Sequence, residues 1–161
     1  TLAEMTRAAI NVLDNDPDGF VLMVEGGAID WAGHGNLGGR LIEEMVGFTQ
    51  AIEAVVAWVD SASGWDETLV VVTADHETGY LWGPGTGPAT DGTAHWNALQ
   101  GRGQRRTPAM QWNSTGHTNS LVPFFAKGRC SERFARFVDG TDQRYGRFVD
   151  NTAIYRMLTE E

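Results

Sequence analysis

Thr68-Leu69-Val70-Val71-Val72-Thr73-Ala74-Asp75-His76-Glu77-Thr78-Gly79 sets an unbroken aliphatic run directly against a cluster of titratable side chains. A short apolar run bounded by turn residues reads as a strand buried on both faces, and the abrupt change to polar residues marks its carboxyl end. Open α/β sheets collect their chemistry beyond the carboxyl ends of strands. Asp75 and His76 are adjacent, so a regular strand would point them to opposite faces. Joint ligation by the two needs an irregular backbone, which Glu77-Thr78-Gly79 permits. An Asp-His pair at a strand end also serves as a cap or turn, so the pair does not decide its own role.

Upstream, Phe20-Val21-Leu22-Met23-Val24 is a second apolar run of the same kind, again ending in polar sequence: Glu25-Gly26-Gly27-Ala28-Ile29-Asp30-Trp31-Ala32-Gly33-His34. Downstream, Thr115-Gly116-His117-Thr118 precedes a third strand candidate at 121–126, weakened by Pro123. Helical spacing of Leu2, Met5, Ala9, Val12 and Leu13 predicts a helix over 2–14, opened by the capping box Thr1-Leu2-Ala3-Glu4. A longer helix is expected over 40–61, with Leu41, Met45, Phe48, Ile52, Val55 and Val59 on one side. Asp150-Asn151 can cap a last helix whose apolar face holds Ile154, Met157 and Leu158. Residues 79–116 are dense in Gly, Pro and Thr and read as an irregular insertion or small subdomain. Helices alternating with strands in this order predict an α/β layered sheet within one domain spanning 1–161.

Three of the four histidines and three carboxylates therefore fall where a strand-ended site would gather them. Asp30 and His34 are four apart, so a helical turn would put both on one face, and carboxylate oxygen and imidazole nitrogen are good zinc ligands. A surface Asp–His pair has the same spacing. Glu25 ends an apolar run before two glycines and must be solvated, paired or metal-bound, because burying it alone would be costly. His95, between Ala94 and Trp96, has no carboxylate neighbour in sequence and reads as structural or surface.

Composition limits the alternatives. A net charge of −9 argues against nonspecific nucleic-acid binding, and it is consistent with an anionic substrate only if bound cations cancel some of the carboxylates. No run approaches the roughly 18 apolar residues of a membrane span. The single Cys130 excludes an internal disulfide. A chain that starts at Thr1 with a capping box, and shows no secretory signal, reads as cut inside a larger protein. Strands parted from their neighbours leave exposed edges, so the fragment is expected to self-associate, giving a homo-oligomer, unless it folds as a compact unit.

At these residues the sequence resembles the alkaline phosphatase family. Val24-Glu25-Gly26-Gly27-Ala28-Ile29-Asp30 with His34 is similar to the first metal-ligand motif of that family. Val72-Thr73-Ala74-Asp75-His76-Glu77-Thr78-Gly79 resembles the second, and Gly116-His117-Thr118 the third. The resemblance covers nearly the whole chain and implies an incomplete α/β/α layered fold of this type, hydrolysing phosphate monoesters through a phosphoserine. It implies that Asp30, His34 and His117 hold the zinc that activates water. By the same resemblance Asp75 and His76 hold a second zinc, and Glu25 serves a Mg2+ site. Trp31 occupies a position near the phosphate pocket that varies in the family, and is on that basis a substrate-proximal candidate. Family members usually work outside the cytoplasm, which implies a periplasmic or extracellular location.

The departures are as informative. The family's serine nucleophile, a further aspartate ligand, another magnesium ligand and a phosphate-clamping arginine lie upstream of the first motif and have no counterpart here. The isolated chain is accordingly expected to be inactive and to require the missing N-terminal part. Asp60-Ser61-Ala62-Ser63 imitates the nucleophile motif, but Ser61 falls at the end of the long helix and reads as a helix-end residue. Arg102, Arg105 and Arg106 lie in the irregular region and are not assigned to the clamp. Two rival readings remain: another metal-dependent phosphodiesterase or mutase of the same superfamily, and a non-catalytic binding module. The binding module would use Trp82, Trp96 and Trp112, which otherwise supply the irregular segment with a small core.

Overall fold

Helix α1 (Leu2–Leu13) opens with the capping box its sequence predicts: Thr1 Oγ1 accepts from the Glu4 amide at 3.2 Å, and Glu4 Oε2 accepts from the N-terminal ammonium at 2.6 Å. Its buried face is Ala3, Thr6 and Ile10, not the expected stripe, since Met5 and Val12 are 63% and 70% exposed. The partner surface explains the rotation. Helix α3 (Gly38–Trp58), which α1 packs against, buries Ala51 and Ala54, and small residues on both helices permit close approach. Thr6 is tolerated there because its hydroxyl donates to Leu2 O at 2.8 Å.

The computed structural model describes residues 1–88 and 94–160, and the chain divides into two compact units. The first combines Thr1–Trp58 with Thr78–Thr118, and the second combines Val59–Glu77 with the chain from Asn119 onward. The structure is mixed helix and strand, with its strands joined in two-stranded pairings among the described residues.

In the first unit, α1, the short helix α2 (Ala28–His34) and α3 form the helical part. Phe20–Val24 lies outside the strands assigned among the described residues, with Phe20, Leu22 and Val24 half-buried and Val21 and Met23 exposed. The expected strand buried on both faces is thus a segment covered on one side only, with Val21 and Met23 on the exposed side. The irregular region carries more pairing than its composition suggests: Leu81–Trp82 pairs with Gln111–Trp112, Gly87–Pro88 with Ala94–His95, and Gln100 bridges Ala109. Tyr80, Trp82 and Trp96 meet with centroids 5.0–6.2 Å apart, Tyr80 edge-on to both indoles, so two of the three tryptophans expected to form a small core pack together here. Part of the segment, 89–93, lies outside the described residues.

In the second unit, Leu69–Val72 pairs antiparallel with Phe125–Gly128, and Val138–Asp142 with Gly146–Val149. The third strand therefore begins later than predicted, after Pro123, as a residue without an amide proton requires. The core consists of Phe134 and Phe137 from a 3-10 turn with Ala153 and Met157 from helix α4 (Ala153–Thr159), flanked by Leu69, Val71, Phe124 and Ala126. Leu158, expected on the apolar face of α4, is 58% exposed. Ser61 sits in the π-helical turn Val59–Ser63, the helix-end position read from its sequence.

Candidate metal centre

Asp30 and His34 occupy successive turns of α2 and share a face, as their spacing requires. His117 arrives on the two-residue strand His117–Thr118. The side chains converge: His34 Nε2 lies 3.4 Å from Asp30 Oδ2, His117 Nε2 lies 3.2 Å from Asp30 Oδ1, and the two Nε2 atoms are 3.1 Å apart. Their ligand atoms all fall within 4.8 Å of one another, the one such group among the described residues.

The backbone explains how two segments so distant in sequence meet. Gly79, at φ +90°, hydrogen-bonds Gly116 O through its amide at 3.1 Å, and its carbonyl accepts from Ser114 N at 3.0 Å. A Cβ at Gly79 would come within 2.5 Å of the Trp112 ring and 2.9 Å of Gly33 O, so only glycine lets α2 approach here. Gly33 is tight as well, since a Cβ there would sit 3.0 Å from Thr78 and oblige it to give by a few tenths of an ångström. Asn36, oriented with its NH2 toward the carbonyls of Gly33 and Ser114 at 2.9 Å, ties the end of α2 to the loop before His117.

The supporting hydrogen bonds set the chemistry. His34 Nδ1 lies 2.6 Å from Thr115 O, and a carbonyl only accepts, so Nδ1 carries a proton and Nε2 is the ring nitrogen that faces the cluster. Thr78 Oγ1 donates to Asp30 Oδ1 at 2.6 Å. Neither Thr115 nor Thr78 was marked by the sequence as supporting this cluster. Thr78 follows the Asp75-His76 pair, but nothing local announces a partner 48 residues away.

The donor set fits a zinc-like ion. A tetrahedral ion with ligands at about 2.0–2.1 Å needs donor atoms roughly 3.3–3.4 Å apart, close to the spacings found here. Two imidazoles with one carboxylate suit zinc better than magnesium, which prefers oxygen alone. With a third to a half of each side chain exposed, the cluster has an open side for another ligand.

The other sequence candidates are placed differently. Asp75 and His76 belong to the second unit and face each other, His76 Nε2 lying 3.3 Å from Asp75 Oδ2. The His76 amide donates to Asp75 Oδ1 at 3.1 Å, in the irregular backbone that joint ligation requires. Glu25 is exposed and outside the converging group, its carboxylate lying against Gly27. Trp31 is 75% exposed on α2, between Asp30 and Ala32. His95 is exposed on its short strand, as its surface reading expects.

An aspartate and two histidines at coordination spacing on an α/β scaffold define a candidate metalloprotein. The family model for alkaline phosphatase matches residues 1–112, and the chain belongs to that family. It is 44% identical to alkaline phosphatase 3 of Bacillus subtilis over 108 residues, covering 67% of this chain and 22% of the relative. Alkaline phosphatase 4 of the same organism is 26% identical over 200 residues, covering 89% and 42%. Among solved structures, a variant of the TAB5 alkaline phosphatase with Mg bound superposes with TM-score 0.62 at 33% identity, covering 81% of this chain and 35% of that one. The cold-active alkaline phosphatase of a psychrophilic Shewanella gives 0.65 at 27% identity, covering 83% and 46%. The chain thus spans less than half the length of the relatives it matches.

Proposed function

We propose that the chain carries metal-ligand residues of a phosphate-monoester hydrolase whose serine nucleophile these 161 residues do not supply. The convergence of Asp30, His34 and His117 is the observation that supports this reading best. In it, these three hold one zinc, Asp75 and His76 contribute to a second, and Glu25 serves a magnesium. Bound divalent ions would neutralise the phosphate and lower the pKa of the attacking groups, the chemistry a phosphoserine route needs. Asp30 contributes negative charge to balance the ion, and the Nδ1 bond of His34 keeps its lone pair aimed at it. The exposed indole of Trp31 offers a surface beside Asp30 for the substrate's organic group. By the same reading the whole protein works in the periplasm or outside the cell.

The test is zinc binding and aryl-phosphate hydrolysis by the purified chain at alkaline pH. Zinc binding that disappears in His117→Ala, without turnover, is the expected result. A wild-type chain that takes up no zinc contradicts the metal assignment. Turnover abolished by His76→Ala, whether or not Ser61→Ala affects it, contradicts the missing nucleophile.

A further inference from the structure

We infer that Thr78 is a positioning residue for the metal centre, its hydroxyl fixing which oxygen of Asp30 is presented to the ion. The inference rests on the metal reading of Asp30, His34 and His117. Thr78 Oγ1 lies 2.6 Å from Asp30 Oδ1, a short bond in which the hydroxyl donates and the carboxylate accepts. Oδ1 thereby has part of its capacity engaged while it also faces His117 Nε2 at 3.2 Å, and Oδ2 faces His34 Nε2 at 3.4 Å. The hydroxyl thus favours one-oxygen ligation by Asp30 and opposes rotation of the carboxylate about its Cβ–Cγ bond.

Thr78 is itself held on its other side. Positions where a Cβ on Gly33 would sit are 3.0 Å from Thr78 Cβ and Cγ2, so the threonine methyl seats against a glycine of the helix that carries Asp30. Methyl packing and hydroxyl donation together fix χ1 of Thr78, a β-branched side chain with few rotamers to begin with. Gly79, the next residue, anchors the same segment to Gly116 beside His117. One residue therefore links the helix bearing two ligands to the backbone that carries the third.

Two pairs of side chains isolate the hydroxyl: Thr against Val, which keeps the shape, and Ser against Ala, which removes the methyl from both. Zinc affinity of the 161-residue chain is measured by competition with a chromophoric chelator at fixed pH, with cobalt absorption as a second reading of ligand geometry. Thr78→Val is expected to weaken zinc about 10–100-fold, the usual scale for a residue supporting a ligand, and to alter the cobalt spectrum. Thr78→Ser should stay near wild type and Thr78→Ala should fall with Val. Should the Val chain fail to fold, the Ser and Ala pair carries the comparison. Val within threefold of wild type, or Ser and Ala equally weak, overturns the role of the hydroxyl. Absence of zinc from the wild-type chain, or zinc retained in His117→Ala, instead overturns the metal reading beneath it.

Discussion

His34 Nε2 and His117 Nε2 lie 3.1 Å apart although 83 residues separate them in the chain. Their rings are tilted by 39° with centroids 4.8 Å apart, so the nitrogens meet at an angle and not in a flat stack. Because Nδ1 of His34 donates to Thr115 O, the neutral ring would turn an Nε2 lone pair toward His117. Either His117 donates its Nε2 proton to that lone pair or a cation sits between the two. Asp30, within 3.4 Å of both, supplies the negative charge that favours a cation.

Removing either histidine tests that arrangement. His34→Ala and His117→Ala should each weaken zinc by more than the roughly 10–100-fold expected for loss of a supporting residue. His95→Ala, on an exposed strand, should change nothing. Isothermal titration calorimetry reads all three.

Gly79→Ala should destabilise the first unit by about 1–3 kcal/mol, because the new methyl adds strain at positive φ to a clash with the Trp112 ring. It should also push α2 from its seat and lower zinc affinity. Urea unfolding followed by tryptophan fluorescence, with the same calorimetry, measures both; an unchanged midpoint would contradict the close approach of Gly33 and Gly79.

Phe134→Ala should cost about 3–5 kcal/mol in the second unit, where Phe134 is 6% exposed and packs edge-on against Phe124 at 4.9 Å. Fluorescence of Trp65, which belongs to the same unit, reports that transition.

The start of α4 should respond to acid. The Thr152 hydroxyl and amide both donate to Asp150, at 2.6 and 3.0 Å, and hold its carboxyl below the ordinary value of 3.8. A depressed folded pKa means the contribution is present above about 3.8 and fades as pH falls through the lower folded value. Thr152→Ala should move the Asp150 titration, followed by carboxyl carbon NMR, back upward. An unmoved titration would show that the hydroxyl is not the cause.

Much of the site was legible because its parts are local. Asp30 and His34 share a face through helical spacing alone, and the valine run beginning at Leu69 announces the strand that precedes Asp75 and His76. Their irregular backbone follows from the same reasoning, since two adjacent side chains meet only off a regular strand. The alternation of Phe20–Val24 between exposed and half-buried was not legible, because covering of a strand's second face depends on neighbours that local hydrophobicity does not specify. The same holds for α1, whose buried stripe was set by the small residues of α3 and not by its own largest side chains.

The amino-acid order by itself determined the residue types of the candidate cluster, the capping of the first helix and the family to which the chain belongs. Tertiary structure alone decided that His117 meets Asp30 and His34, and that Thr78 reaches a carboxylate 48 residues back. Spacing along a helix or strand is fixed by backbone geometry within a few residues. Convergence across the chain depends on how closely backbones approach, and here that distance is set by the bare α-carbons of Gly33 and Gly79.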